Sequence, residues 1–485
     1  MENRPGRVTN RHPYRFNDWR RLSSAISTGS GTYAQMMSFE DSAIRIMGDS
    51  PPERFHPQGM MEKQELMSKG NTEIAAFVGL DWADQKHAVT LQESGNDQRY
   101  RFTLDHTPEA LQSWIQSLRD RFGGRPVAIA VEQKRGALIY ALMHVEFLHL
   151  YPVNPVAVAK MREAFYPSGA KDDPLDADLL LDILISHRRH LRLWTPDDAL
   201  TRSIQLLTED RRRVVDERTA LTNQLTAALK TYFPQALDWF GDLHTPRACA
   251  FLQRWPTLQQ LKQATPSSIR KFYKAQGYRG DDKREQLIAG IKKAQPLTQD
   301  SAVLLSCSMK VEILVQQVPL LTEAIERYDQ KIAALFDQHD DSTLFGSFPG
   351  AGPALAPRLL AAFGSIRERF ECASQLQELS GIAPVTEKSG EGIWIHWRLA
   401  CSKFLRQTFH EFAGCSIVQS DWARACYGQL RKRGKSHHAA LRALAFKWIR
   451  IIFRCWKDRT PYDEAVYLKS LQSRRSPLAS DLMAP

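Results

Sequence analysis

Four carboxylates in the first half of the sequence have the types and the spacing that metal-dependent phosphate chemistry requires. Asp81 ends the apolar run "VGLD", Glu132 ends "PVAIAVE", and Asp173 and Asp176 are three residues apart in "KDDPLDADLL". Acids at i and i+3 project from one side of a helix. A carboxylate that ends a buried strand is costly unless it is paired or binds a metal. Acidic stabilisation of a first helical turn is the simpler explanation for the last two.

The elements that must position these acids follow from the hydrophobic pattern. Short runs from Glu73 onward alternate like strands and are separated by turn residues such as "SGND", which predicts a three-stranded meander. Helix, strand, helix, strand and further helices follow. This order predicts an α/β domain with the RNase H-like (RuvC-like) fold, followed by mainly helical regions.

In such a sheet the four carboxylates would converge on one side. Hard oxygen ligands in that arrangement suit Mg²⁺, and two ions about 4 Å apart could act on a phosphoryl group. Asp172 is adjacent to Asp173 and could replace it as a ligand. Asp178 and Asp182 in the same stretch are predicted to be surface charges of the helix.

Two long helical stretches in the middle of the chain predict a coiled coil. Apolar residues step by three and four around Leu221–Tyr232 and again around Leu321–Leu335, with Pro319 placed at the start of the second helix. Extending the first seam backwards would place Arg211 and Arg218 inside it. Two amphipathic core helices explain the pattern equally well. The segment 234–300 between them is predicted to form short helices broken by Pro and Gly.

The last part of the chain opens with "FPGAGPALAPRLLAAFG", in which Gly350 and Gly352 form a tight turn before an apolar helix. The N–H groups at such a helix start can bind phosphate, as in a helix-hairpin-helix motif. A plain helix-entry turn fits the same residues.

The positive charge of the chain is concentrated near its C-terminus. The formal net charge is +11, and Arg398–Arg459 alone holds fourteen Lys and Arg against three acids. Clustered cations of this kind are typical of nucleic-acid binding, although a solvated basic face is also possible. The predicted phosphate contacts are a loop cluster and one helical stripe: Arg431, Lys432, Arg433, Lys435, Lys447, Arg450, Arg454 and Lys457.

Composition limits the remaining classes. The seven cysteines are scattered without CxxC spacing, which argues against a disulfide framework or a structural zinc site. The N-terminus lacks the apolar core of a secretory signal, and no apolar run approaches the ~20 residues of a membrane helix. We therefore expect a cytoplasmic protein with no membrane partner.

The motifs "GLDWADQKH", "AVEQKRG" and "KDDPLDADLL" resemble the D…E…DxxD signature of the IS110 family of insertion-sequence transposases, the bridge-RNA-guided recombinases. The matching positions are Asp81, Glu132, Asp173 and Asp176. A second stretch, from "FPGAGP" to "APVTEKSG", resembles the second transposase domain of that family. The resemblance covers about 73–190 and 340–460.

This resemblance implies a RuvC-like carboxylate site that works with a serine nucleophile. Ser389 in "APVTEKSGEG" is the matching serine, although relatives have two adjacent serines followed by paired glycines. Ser402 and Ser380 are the alternatives. The family further implies Mg²⁺, donor and target DNA, a structured noncoding RNA that selects them, and homodimers that assemble into a tetramer. A nucleoid-associated location in a bacterium or archaeon follows.

Five regions result from this reading: an N-terminal extension (1–72), the RuvC-like domain (73–195), the helical coiled-coil region (196–338), the serine-containing transposase domain (339–465) and a tail (466–485). Two other functions remain open: a RuvC-like nuclease that hydrolyses junction DNA with water, and a non-catalytic nucleic-acid-binding protein whose carboxylates are structural.

Overall fold

The structure is a computed structural model that describes residues 74–133, 135–166, 173–277, 280–390, 392–474, 476 and 478. The described residues divide into two compact units, 74–197 and 198–478. The first is a mixed α/β unit and the second is mostly helical, as the sequence pattern predicts.

The α/β unit is built on a five-stranded sheet in the order β3-β2-β1-β4-β5. β1, β2 and β3 form the predicted antiparallel meander, and β4 and β5 run parallel to β1. The strands are β1 (Ala76–Asp81), β2 (Lys86–Glu93), β3 (Arg99–Asp105), β4 (Val127–Val131) and β5 (Leu148–Pro152).

Helices cover both faces of this sheet. They are α1 (Pro108–Phe122), α2 (Ala137–Leu142), α3 (Pro155–Phe165) and α4 (Asp173–His187), and a short 3₁₀ turn follows. Alternate strand residues pack in two apolar clusters, one against α1 and α2 and the other against α4. The first helix begins where the sequence predicts, because Thr107 accepts a hydrogen bond from the N–H of Ala110 at 3.2 Å.

Two long helices organise the helical unit, α5 (Ala199–Tyr232) and α11 (Ser301–Phe336), and they pack along each other. Arg211 lies between them, and its Nη2 donates to Asp329 Oδ2 at 2.9 Å. The placement of Pro319 at a helix start is wrong, since Pro319 lies inside α11. A proline there removes one backbone hydrogen bond, yet α11 continues through it and packs along α5. α11 is also the one described helix long and apolar enough, by length and composition alone, to cross a membrane.

Short helices connect these two, as predicted for 234–300, and share an apolar core with both long helices. They are α6 (Gln235–Trp239), α7 (Pro246–Arg254), α8 (Leu258–Gln263), α9 (Pro266–Ala275) and α10 (Asp281–Lys293). Phe251 is fully buried among the aromatic rings of Trp255, Phe272 and Tyr273.

The C-terminal part of the helical unit has the largest apolar core. Its elements are α12 (Ser342–Gly346), α13 (Gly352–Phe363), α14 (Ala373–Leu379), the hairpin β6 (Val385–Ser389) and β7 (Gly392–His396), α15 (Lys403–Gln419), α16 (Asp421–Lys432), α17 (His437–Asp458) and α18 (Glu464–Ser473). Trp422, Trp448 and Trp456 are fully buried in it.

Candidate active site and nucleic-acid surface

Asp81 and Glu132 lie side by side at one edge of the sheet. Asp81 ends β1, and Glu132 follows β4 directly. The two strands are parallel with Leu80 opposite Val131, so the next step of the ladder brings the two acids together. Neighbouring strands are about 4.8 Å apart, and both side chains are half-buried. The two carboxylates therefore meet on one face of the sheet.

A glycine allows α4 to lie directly on that face. A Cβ atom at Gly79 would come within 1.9 Å of the Ala177 carbonyl oxygen and 2.6 Å of the Leu181 amide nitrogen. Only a residue without a side chain permits this approach between a strand and a helix backbone. Asp81 lies two residues after Gly79 and thus on the same face.

Two ion pairs across the sheet anchor the next part of α4. Asp178 is buried; it accepts a hydrogen bond from Thr90 Oγ1 at 2.7 Å and from Arg101 Nη2 at 2.8 Å. Burial opposes ionisation of Asp178, but the bonds from Arg101 and Thr90 outweigh it and lower its pKa below the usual value. Asp182 pairs with Arg99. The expectation that Asp178 is a surface charge is therefore wrong, because this side chain ties the helix to β2 and β3.

These ion pairs also define the direction of α4. Through the strand register, Arg101 lies level with Gly79 of β1, and Arg99 lies level with Phe77. The helix therefore advances toward the beginning of β1 as its numbering rises, and its first turn lies at the opposite end, beside Asp81. One helical turn spans about 5.4 Å and two strand residues about 6.6 Å, so aspartates one turn apart can each pair with an arginine two residues apart on the strand.

Asp173 and Asp176 are in this first turn. The side chain of Asp173 is outside the described residues, as is all of Asp172. Asp176 is only 3% exposed and pairs with Arg162 of α3, whose Nε and Nη2 donate to the same oxygen, Oδ1, at 2.7 and 2.5 Å. This ion pair orients Asp176 without using its second oxygen. Arg162 was missed in the sequence, because no spacing signal connects it to an aspartate fourteen residues later.

The donor set of this edge fits Mg²⁺, which favours carboxylate oxygens and retains water ligands. Among the described side chains, no group of three or more His, Cys, Asp and Glu residues is already arranged to hold a metal ion. The backbone geometry nonetheless gathers Asp81, Glu132 and the first turn of α4 at one end of the sheet, and we call this region the carboxylate edge. Carboxylates gathered in this way could bind a divalent metal ion, and the metal would be the group that meets phosphate oxygens.

Ser389 lies at the tip of the β6–β7 hairpin in the helical unit. It is exposed, it pairs with Gly392 in the ladder, and Gly390 after it takes a positive φ of 57°. The alternatives occupy other environments. Ser380 is fully buried, with Oγ donating to the Gln377 carbonyl at 3.2 Å. Ser402 caps α15 and accepts from the Leu405 N–H at 3.3 Å.

The turn at Gly350 packs against a neighbouring helix. A Cβ there would lie 2.7–2.8 Å from the backbone of Cys415 and Ser416, and φ is 85°. The Gly350 N–H donates to Gln419 Oε1 at 2.9 Å. This N–H is thus used within the protein, which favours the helix-entry turn over the phosphate-binding motif.

The basic residues form two exposed groups and one packing contact. Arg431, Lys432 and Arg433 are exposed at the end of α16, and Arg431 Nη1 donates to the Lys435 carbonyl at 2.8 Å. Lys435 itself is half-buried.

On α17 the stripe divides. Lys447, Arg450 and Arg454 are exposed. Lys457 Nζ donates to the Arg367 carbonyl at 2.5 Å and lies over the Trp456 ring. We therefore assign Lys457 to packing rather than to the exposed stripe.

Two family models match the chain at these sites. A DEDD transposase model of the IS110 group covers residues 78–234, which include the carboxylate edge. The model of the IS116/IS110/IS902 transposase family covers residues 342–429, which include the serine hairpin. The chain belongs to the IS110 transposase family.

Proteins of other insertion elements are similar to this chain over most of their length. A protein named as a transposase of the IS117 mini-circle, from Streptomyces coelicolor, is 27% identical over 398 residues, which are 81% of this chain and 96% of the relative. The IS110 43.6 kDa protein of the same organism is 23% identical over 81% of this chain and 96% of its own length. The IS900 42 kDa protein of Mycobacterium paratuberculosis is 25% identical over 73% of this chain and 89% of its own length.

Proposed function

We propose that this transposase cuts and rejoins DNA to move an insertion element, with Ser389 as the nucleophile and the carboxylate edge as the metal-binding half of the site. The observation that carries the proposal is the meeting of Asp81, Glu132 and the first turn of α4 at one edge of the sheet. The α/β unit then has the RNase H-like fold, which the strand order and the parallel β1–β4 pair support.

The carboxylates Asp81, Glu132, Asp173 and Asp176 are the residues that would hold divalent metal, with Arg162 orienting Asp176. Two Mg²⁺ ions held there would stabilise the charge that develops on the attacking and leaving oxygens of a phosphoryl transfer. The exposed cations on α16 and α17 bind the phosphate backbone that the site acts on.

Ser389 is the serine that we propose to react, and its exposure at a hairpin tip supports this choice over Ser380 and Ser402. Attack by its Oγ on a DNA phosphorus forms a phosphoserine bond and breaks the bond from phosphorus to one deoxyribose oxygen, which takes the proton. Attack by a second DNA hydroxyl reverses this step and rejoins the strands.

We extend the proposal to guidance by a structured noncoding RNA and to assembly of dimers into a tetramer in the cytoplasm, near the nucleoid. An apolar stripe on α11 supports self-association: Leu305, Met309, Ile313 and Leu320 share one side of the helix and are 47–72% exposed. The pairing of α5 with α11 supports the coiled coil within one chain.

A covalent adduct tests the serine assignment. Protein incubated with its RNA, DNA and Mg²⁺ and separated by denaturing electrophoresis should yield a protein–DNA species that Ser389→Ala abolishes. Thr386→Ala removes an exposed hydroxyl from the same hairpin and is the matched control, which should retain the adduct. An adduct that persists in Ser389→Ala would reject Ser389.

The alternative, a junction nuclease that uses water, rests on the carboxylate edge alone, since the α/β unit is compact by itself. It predicts DNA cleavage at the wild-type rate in Ser389→Ala, without any adduct in either protein.

A further inference from the structure

A cleft of about 390 Å³ opens in the helical unit beside the start of α15. Three parts of the chain contribute to it: the segment after the hairpin, the first turns of α15 and the start of α17. Its lining residues are Trp397, Lys403, Arg406, Gln407, His410 and His438. Neither the carboxylate edge nor the predicted basic contacts include any of them.

Arg406, one of the two lining cations, is held in place by the protein. Arg406 Nη2 contacts the Arg398 carbonyl and, at 2.6 Å, Cys401 Sγ. Its Nε is buried and has no hydrogen-bond partner among the described residues. A buried donor without an acceptor is unfavourable, and the guanidinium that carries it lines the cleft. Lys403 lies one helical turn before it in the same lining.

His410 reports a strongly positive environment. Burial, and after it the nearby Arg442, His438, Arg406 and His437, lower its pKa to about 4. The imidazole is therefore neutral at physiological pH while cations surround it. Such a concentration of positive charge in a concave site attracts anions.

Trp397 adds an aromatic surface to this cleft. The Arg442 guanidinium lies 3.4 Å from the centroid of its ring, and the residue is still 43% exposed. Cations next to an exposed aromatic ring are the combination that binds unpaired nucleotides, because the phosphate meets the cations and the base stacks on the ring.

We propose that this cleft is a binding subsite for one unpaired nucleotide, with the phosphate at Lys403 and Arg406 and the base on Trp397. The volume suits a single nucleotide-sized ligand, and a base must be unpaired to offer its face to the ring. This inference rests on the proposed function only for the class of ligand, since an enzyme that opens and exchanges strands handles unpaired DNA and RNA.

Binding of short oligonucleotides to the full-length protein tests the subsite. Fluorescence anisotropy would compare a single-stranded DNA, a single-stranded RNA of the same sequence and the DNA duplex, at fixed salt and with EDTA to prevent catalysis. Trp397→Ala should weaken single-strand binding by about tenfold or more and change duplex binding less than about twofold. Trp397→Phe keeps an aromatic ring and should retain most of the affinity.

Trp394→Ala is the matched control, because Trp394 is 57% exposed on the hairpin but does not line the cleft. It should bind like wild type. Equal losses in Trp394→Ala and Trp397→Ala would overturn the proposal, as would an unchanged affinity in Trp397→Ala.

Lys403→Ala should reduce the salt dependence of single-strand binding by about one charge, and an unchanged salt dependence would contradict the phosphate contact. Whichever single strand, DNA or RNA, loses more affinity in Trp397→Ala is identified as the ligand.

The binding assay separates this proposal from the serine mechanism. Ser389→Ala should bind all three oligonucleotides like wild type, whatever its activity. Intact strand exchange in Ser389→Ala, together with binding that depends on Trp397, would reject the serine mechanism and support the subsite. Loss of strand exchange in Ser389→Ala, together with binding that does not depend on Trp397, would do the opposite.

Discussion

The carboxylate edge of the α/β unit and the basic surface of the helical unit carry opposite charges, and they are built in opposite ways. Asp176 and Asp178 are buried and paired with arginines, and a glycine at position 79 fixes the helix that carries them. Lys447 and Arg450 are exposed on one side of α17. Buried, paired charges hold one geometry, whereas exposed cations can contribute affinity without a fixed geometry.

The largest expected effect is on the contact that creates the carboxylate edge. Gly79→Ala places a Cβ 1.9 Å from the Ala177 carbonyl oxygen, so α4 must move or the unit must unfold. We expect a loss of about 4 kcal/mol or more in the free energy of unfolding, measured by urea denaturation.

Gly428→Ala is the control for this substitution, because a Cβ there meets nothing within 4 Å. Gly428 lies within α16, where alanine should stabilise by up to about 1 kcal/mol. A Gly79→Ala protein as stable as wild type would contradict the close packing of α4 on β1.

The second expected effect concerns the one histidine of the basic region whose pKa is strongly lowered. His410 has a pKa of about 4 in the folded state against 6.5 in the unfolded chain. The unfolded chain therefore binds more protons between these values, so stability falls as pH drops from 6.5 toward 4. At pH 5 the loss from His410 should be about 2 kcal/mol.

This pH dependence is measured by comparing unfolding of wild type and His410→Gln at pH 7 and pH 5. The variant should lose less stability than wild type between the two pH values. His396→Gln, at a half-buried histidine of the hairpin, should leave the wild-type difference unchanged. Identical pH dependence in wild type and His410→Gln would reject the neutral, buried state of His410.

The smallest effects on stability are expected at the exposed cations. Lys447→Ala and Arg450→Ala should each change the free energy of unfolding by no more than about 0.5 kcal/mol and lower the salt slope of DNA binding by about 1. Lys457→Ala should lower the free energy of unfolding by more than this and leave the salt slope of DNA binding unchanged, because its ammonium group binds the Arg367 carbonyl. A salt slope that falls only in Lys457→Ala would refute the division of this stripe.

The sequence predicts the sheet and the strand-end acids well, because alternating apolar runs and their ends are local signals. Asp178 was not predictable in the same way. α4 is buried on nearly every side, so its sequence has no polar face that separates inward from outward acids. Pro319 was misplaced because proline is favoured in the first turn of a helix, whereas α11 continues through it.

The remaining parts of the candidate sites depend on distant residues. Arg162 contacts Asp176 from another helix. The cleft brings together side chains that are far apart in the sequence, such as Trp397 and His438. No periodicity or motif connects such pairs before the chain folds. Only the carboxylates with a recognisable order, and the serine next to a glycine, could be selected from the sequence.

Adduct formation in carboxylate variants tests whether the carboxylate edge and the serine hairpin serve one reaction. Asp81→Asn and Glu132→Gln would be assayed by denaturing electrophoresis with RNA, DNA and Mg²⁺, beside Asp182→Asn, whose side chain pairs with Arg99 instead. The account predicts that the protein–DNA adduct disappears in the first two variants and persists in the third. An adduct formed at the wild-type level by a protein lacking both Asp81 and Glu132 would contradict it.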